Sequence, residues 1–415
     1  MEQEIKFSAL RVRDFRLFWL SQIISLSGTW MQQVAIGWLV YSATRSPFYL
    51  GLTMAVMSAP IVLFTLIGGI TADRYPKKNI IILTQALFIM PAFTLGILSG
   101  IRNIELWQLF VLVFLIGTLN AFDTPARQSY IVELVGKGNL LNAIALNSAA
   151  FNSARVIGPV LAGVLIAKFS IASCFYLNAV SYIPVILVLL MVKERGVVKV
   201  SGRTSIIKEL MNGLSYIKHE KRILSLFLVI AVISLFGLPY SNFLPVIAKD
   251  VLRTGASGLG RLAGAAGVGA LMAAMIIAFR GNIRRRFLLT SISMVGATAA
   301  IFLLTYSRRE ILSLAFLFFS GLGFISFFAI SNNFIQQTVP DNLRGRVMSV
   351  YILVFLGMAP FGNFIVGSAA HRMGTMNALR LSAAICLIAS LLYIRYHQKY
   401  IGRAVGPGRF SDLEK

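Results

Sequence analysis

The sequence predicts an all-α membrane protein of twelve spanning helices arranged as two pseudo-symmetric six-helix halves. Three observations lead there. Of 415 residues, 57% are hydrophobic and only 13% charged, with a mean hydropathy of +0.78; a soluble domain has no use for that much apolar surface. Twelve stretches come near the roughly 20 apolar residues a spanning helix needs, at 17–41, 48–72, 79–101, 105–127, 140–167, 170–192, 223–247, 257–279, 286–306, 310–336, 346–370 and 375–396. Features of the first six stretches also recur in the last six.

These stretches leave little chain for a soluble catalytic domain. The first lacks a small-residue cleavage site, so a removable signal peptide is not expected. A net charge of +24 could suggest nucleic acid. The distribution of basic residues points elsewhere. With the N-terminus inside, 28 of the 39 Lys and Arg fall in inner segments, 8 in outer loops, and Arg155, Arg261 and Arg380 within spans. That bias follows the positive-inside rule and places both termini in the cytoplasm. Basicity then reports topology and contact with anionic lipid, and no nucleic-acid partner is expected. The two cysteines, Cys174 and Cys386, lie in separate apolar stretches. No metal or disulfide chemistry is expected of them.

The first span is unusually polar. Gln22, Ser25, Thr29 and Gln33 recur at spacings of three and four and share a face. In lipid that face must turn to protein or to a watery cavity. Asp14 can cap the span's start. The fourth span carries Asn120 and Asp123, about five residues and ~7 Å from its expected inner end, and closes on Arg127. A basic, glycine-containing loop is expected from there to Asn139. In the fifth span Ser148, Asn152 and Arg155 form a polar stripe, with Arg155 near mid-helix. A central arginine costs about 2.5–3.5 kcal/mol even on insertion scales. It should face a cavity or a partner. Asp123 can therefore pair with Arg127 at i+4 or with Arg155, and the sequence leaves both open.

Two motifs carry a family resemblance. At the end of the second span, Gly69, Asp73, Arg74, Lys77 and Lys78 match the G-x-x-x-D-[RK]-x-G-[RK]-[RK] loop of the major facilitator superfamily, with Pro76 where a glycine is usual. Gly69 would permit close helix approach, and Asp73 would sit against another helix's N-terminal end as a latch. In the fifth span, Gly158, Pro159 and Gly163 resemble the G-x3-G-P-x2-G-G motif of exporters in that superfamily, with Ala154 and Ala162 replacing two glycines. Small residues allow helices to slide, and the proline weakens the helix locally.

The second half repeats the plan. Leu134 to Leu140 is echoed by Thr338 to Leu343 at an offset of about 203 residues, and Ala359-Pro360 falls near the position of Gly158-Pro159. It lacks counterparts of Asp123 and Arg127, offering Asn332, Asn333 and Gln336 instead. The expected organisation is a first half at 1–192, a cytoplasmic linker at 193–222, a second half at 223–396 and a tail at 397–415. Ile206, Ile207, Leu210, Leu214 and Ile217 recur in the linker at helical spacing, as in an interfacial amphipathic helix.

Over essentially the whole chain the sequence resembles the enterobactin-exporter and drug and macrolide efflux branch of the superfamily. That resemblance implies a bacterial inner-membrane secondary exporter. It would move an amphipathic organic compound, siderophore or drug-like, in exchange for protons, with spans 1, 4, 7 and 10 lining a cavity. It implies no cofactor and no enzymatic activity, and no G-x4-G-K-[ST] nucleotide loop is present. Asp123 and Arg155 are the charges expected to serve coupling or substrate. An importer of a small organic solute and a non-transporting membrane partner are the alternatives.

Overall fold

The computed structural model describes residues 8–101, 104–192, 206–280 and 286–401, and among these every regular element is helical. The elements are α1 (Arg13–Thr44), α2 (Pro47–Arg74), α3 (Lys77–Gly100), α4 (Leu106–Gly136), α5 (Gly138–Lys168) and α6 (Ile171–Met191). A linker helix α7 (Ile206–His219) follows. The series ends with α8 (Lys221–Val251), α9 (Gly255–Arg280), α10 (Arg286–Leu304), α11 (Glu310–Thr338), α12 (Asp341–Met373) and α13 (Thr375–Tyr396). Eleven of these helices are long and apolar enough to cross a membrane. The twelfth spanning helix is α1, whose 32 residues suffice in length. Its polar face lowers its hydropathy, as its sequence foretold.

The chain packs as two compact units. One is Met1–Ser201 with Pro245–Gly264, and the other is Gly202–Leu244 with Ala265–Lys415. Within α8 the winding changes repeatedly near Pro239 and Pro245: a wide π-type turn at Ile233–Gly237, a tight 3₁₀ stretch at Leu238–Phe243, and a second π-type turn at Ile247–Val251. Proline has no N–H to donate and crowds the preceding turn, so regular winding fails there. The part of α8 beyond Leu244 packs with the first unit.

The first unit has two ends. Its proximal end carries the α2–α3 and α4–α5 turns, and its distal end the α1–α2 turn. A proximal core gathers Phe15, Phe18, Ile81, Tyr130, Leu134 and Leu189, all buried. This core revises one sequence expectation. The stretch after Arg127 is helix rather than loop, and the chain turns only at Gly136, with φ +69°. Tyr130, Ile131, Leu134 and Val135 form a buried stripe that holds these last turns. Glycine adopts that positive φ at no steric cost. Asp123 therefore lies 13 residues from the end of α4, about 20 Å, and sits near mid-helix.

In the second unit, α7 packs on α12. A Cβ on Gly213 would lie 2.8 Å from the Arg346 carbonyl oxygen, so the two backbones touch there. Of the apolar residues expected along α7, Ile217 is buried and Leu214 exposed, while the side chains of Ile206, Ile207 and Leu210 lie outside the described residues.

Candidate functional site

The described residues bury three charged side chains: Lys77, Asp123 and Arg127, all in the first unit. Asp123 is 6% exposed and Arg127 8%. Arg127 Nε donates to Asp123 Oδ2, one turn away on α4. The other carboxylate oxygen accepts from Thr84 Oγ1 at 2.7 Å and Gln85 Nε2 at 3.1 Å, both on α3. Gln85 Oε1 in turn accepts from Ser25 Oγ of α1 at 3.2 Å. Of the two pairings left open, the structure contains the one with Arg127. Burying two charges is costly unless each finds its partner and further hydrogen bonds. Asp123 has them; Nη1 of Arg127 is buried and without an acceptor among the described residues.

A second buried group adjoins the first. Asn178 Nδ2 on α6 donates to Gln32 Oε1 at 2.8 Å and to the Tyr182 hydroxyl at 2.9 Å. Phe88 stacks on the Tyr182 ring with centroids 5.3 Å apart.

The polar face of α1 is thus divided among neighbours. Gln22 bonds Asn147 of α5 at 3.0 Å, Ser25 reaches α3, and Thr29 donates to the Ser25 carbonyl. Gln33 stays partly exposed, and Gln32 joins the buried network instead. Asn120 donates to the Ile116 carbonyl and Asn152 to that of Ser148, each one turn back along its own helix.

Arg155 is partly buried, with its guanidinium 5.5 Å from the centroid of the Trp30 ring. Trp30 meets Phe151 edge-on at 5.6 Å. Cation, indole and phenyl thus form one surface between α1 and α5. The glycines beside it set the helix spacing. A Cβ at Gly158 would meet the Ser27 carbonyl oxygen at 2.7 Å, and one at Gly163 would meet the Gly260 Cα at 2.7 Å. Ala154 and Ala162 are fully buried. Pro159 lies inside α5, and its carbonyl faces Gly260.

The loop motif behaves less as expected. Asp73 and Arg74 are exposed at the end of α2. Lys77 pairs with Glu133 of α4 at 2.5 Å, with side chains 7% and 12% exposed. Lys78 Nζ donates to the Val192 carbonyl at 2.7 Å, capping the end of α6. A Cβ on Gly69 would meet nothing within 4 Å, whereas one on Gly68 would lie 2.1 Å from the Ala121 carbonyl oxygen. Gly68 is the residue that lets α2 approach α4.

A cluster that no sequence spacing marks lies at the distal end. The Tyr41 hydroxyl donates to Asp250 Oδ2, and Arg45 Nη1 lies 3.5 Å from Oδ1. Lys249 Nζ donates to Ser42 Oγ at 2.9 Å and lies 5.2 Å from the Trp38 ring centroid. In the second unit, Gln336 Nε2 donates to Asn332 Oδ1 at 2.6 Å on α11, and Asn333 is exposed.

Comparison with known proteins follows this geometry. Residues 5–404 match the model of a family described as transmembrane secretion effector. The chain is 23% identical over 388 residues to the staphyloferrin A transporter of Staphylococcus aureus (strain NCTC 8325 / PS 47), covering 91% of this chain and 96% of that protein. It is 20% identical over 385 residues to macrolide efflux protein A of Streptococcus pyogenes, covering 91% and 94%. It is 22% identical over 381 residues to the enterobactin exporter of Salmonella typhi, covering 92% and 91%. Among solved structures, the nucleoside transporter NupG superposes with a TM-score of 0.73 at 13% identity, over 92% of this chain and 98% of that one. At such identity the likeness shows the fold alone.

Proposed function

Since the chain belongs to the major facilitator superfamily, within its transmembrane secretion effector family, we propose that it is a secondary active exporter working by alternating access in exchange for protons. Its cargo in this reading is an amphipathic organic compound, siderophore or drug-like, like those named for its relatives. It resides in the bacterial inner membrane with both termini cytoplasmic, which the 28 to 8 bias of Lys and Arg supports. The proximal end of the first unit is then the cytoplasmic end. The two six-helix halves are 1–192 and 223–396, with the linker between them.

One observation carries this reading: Asp123 is the only buried carboxylate among the described residues, and it sits near mid-helix. Ionisable groups at membrane depth mark ion and proton pathways. Asp123 is the coupling carboxylate and Arg127 its counter-ion. Arg155, on its Trp30 and Phe151 surface, attracts an anionic or planar part of the cargo. In everted vesicles energised by a pH gradient, Asp123→Asn abolishes gradient-driven transport and leaves cargo exchange without a gradient intact. Full gradient-driven efflux by that variant excludes the assignment.

A further inference from the structure

The Thr84 hydroxyl has two acceptors in reach. Its Oγ1 lies 2.7 Å from Asp123 Oδ1 and 3.0 Å from the carbonyl oxygen of Ile81, three residues back on α3. A threonine hydroxyl carries one hydrogen and two lone pairs, so it donates fully to one of these oxygens at a time. Thr84 is buried, and the charge on Asp123 decides the direction. An ionised carboxylate only accepts, so the hydrogen goes to Oδ1.

The other neighbours of Asp123 have no second role open to them. Arg127 meets Oδ2 and is donor-only. Gln85 presents Nε2 to Oδ1 at 3.1 Å, while its Oε1 is taken by the Ser25 hydroxyl at 3.2 Å. Both therefore suit the ionised carboxylate. A protonated Asp123 brings a hydrogen of its own, and a buried donor without an acceptor is costly. The charged group facing Asp123 is Arg127. Charges elsewhere on the neighbouring helices are engaged or lie at helix ends: Lys77 pairs with Glu133, Arg155 sits at the Trp30 ring, Asp73 and Arg74 are exposed at the end of α2, and Arg13 and Arg16 open α1. On α6 the titratable Tyr182 hydroxyl accepts from Asn178.

We infer that Thr84 is a two-way hydroxyl that lets Asp123 be charged or neutral at one buried position. With Asp123 ionised, Thr84 donates to Oδ1. An arriving proton is held on Oδ1, because Oδ2 faces the guanidinium. The Thr84 hydrogen then turns to the Ile81 carbonyl, and a lone pair of Oγ1 accepts the new proton. The one covalent bond formed is the O–H of Asp123, which becomes neutral; Thr84 keeps its own proton throughout. Gln85 and Arg127 hold the charged state, and Thr84 is the positioning residue that serves both.

The proposal rests on Asp123 being the coupling carboxylate, and one experiment separates the two. The full chain, reconstituted in lipid, is taken from high to low pH while infrared difference spectroscopy follows the carboxylic-acid carbonyl band. The band removed by Asp123→Asn reports protonation of that residue. Thr84→Val keeps the branched shape and removes the hydroxyl. The acid O–H then lacks its acceptor, and the Asp123 band should move up in frequency. Gradient-driven transport should slow about tenfold, the scale of one hydrogen bond to a charged group. Thr84→Ser keeps a hydroxyl and should return both to their original values. Thr84→Ala reads the same shift if the valine variant does not fold. A packing role alone would lower thermal stability in the valine and alanine variants and leave the band in place. An unmoved band, or one still displaced in Thr84→Ser, overturns the two-way hydroxyl and leaves the coupling assignment standing. Absence of any Asp123-dependent band overturns the coupling assignment, and the two-way hydroxyl with it.

Discussion

Two adjacent glycines give the sharpest contrast between motif and geometry. The resemblance assigns close helix approach to Gly69, yet a Cβ there would meet nothing within 4 Å. At Gly68 the Cβ would sit 2.1 Å from the carbonyl oxygen of Ala121, more than an ångström inside an ordinary contact. The obstructing atom is helix backbone, so no side chain can swing aside. Gly68→Ala should therefore push α2 from α4 and cost about 2 kcal/mol, within the usual range for overpacking. For a chain of this size that is roughly 4–8 °C or less in apparent melting temperature. Gly69→Ala should be neutral or stabilising, since alanine in an open helical position gains up to about 1 kcal/mol over glycine. Thermal unfolding of both variants in detergent, followed by fluorescence-detected size exclusion, reads the two signs. Ala121 lies two residues before Asp123, so Gly68→Ala should also impair gradient-driven transport. Equal destabilisation by both variants, or a worse effect from Gly69→Ala, would falsify the placement of the α2–α4 contact.

The other predictions concern charged contacts. Lys77→Met leaves the partly buried Glu133 without its partner and should destabilise the chain by about 3 kcal/mol, whereas Lys77→Met with Glu133→Leu should recover most of that loss; a double variant no better than the single one counts against the pair. Tyr41→Phe removes the phenol that holds Asp250. Because the Asp250 side chain is 43% exposed, water compensates in part, and the expected loss is about 1 kcal/mol of stability. Thermal unfolding in detergent measures that loss, and an unchanged melting temperature rules out a stabilising role for the phenol. Arg155→Lys keeps the charge but loses the flat guanidinium over Trp30, so it should raise the apparent KM for an anionic cargo while sparing transport of a neutral one. Normal handling of both cargoes makes Arg155 structural.

The helices and the family were legible because hydropathy and small-residue spacing are local properties. The end of α4 was not, for a physical reason. Hydropathy counts how apolar a segment is, and Arg127 to Gly136 mixes charges with apolar residues. Yet Tyr130, Ile131, Leu134 and Val135 already mark one helical stripe, a signal that periodicity detects and average hydropathy misses. Gln32 is not separable from Gln33 by periodicity, because spacings from Ser25 and Thr29 suit both equally well. The pairs Lys77 with Glu133 and Tyr41 with Asp250 join residues far apart in sequence. No spacing rule reaches them.

Where charge is buried bears on which half does the chemistry. The buried polar residues of the second unit are serines, threonines and Asn363, and none carries a formal charge among the described residues. Neutral side chains join Asn242 with Asn363 at 2.8 Å and Ser320 with Tyr240 at 3.0 Å, while the partly buried Arg380 donates to Thr305 at 3.3 Å. Neutral hydrogen bonds between membrane helices contribute packing specificity, typically well under 2 kcal/mol each. A buried ion pair adds little net stability over an apolar replacement. Stability alone therefore does not account for placing Asp123 and Arg127 inside α4, which the coupling role proposed above would explain. The same reasoning explains the polar side chains gathered around one carboxylate: Thr84 and Gln85 of α3 hold one of its oxygens, and Ser25 of α1 holds Gln85.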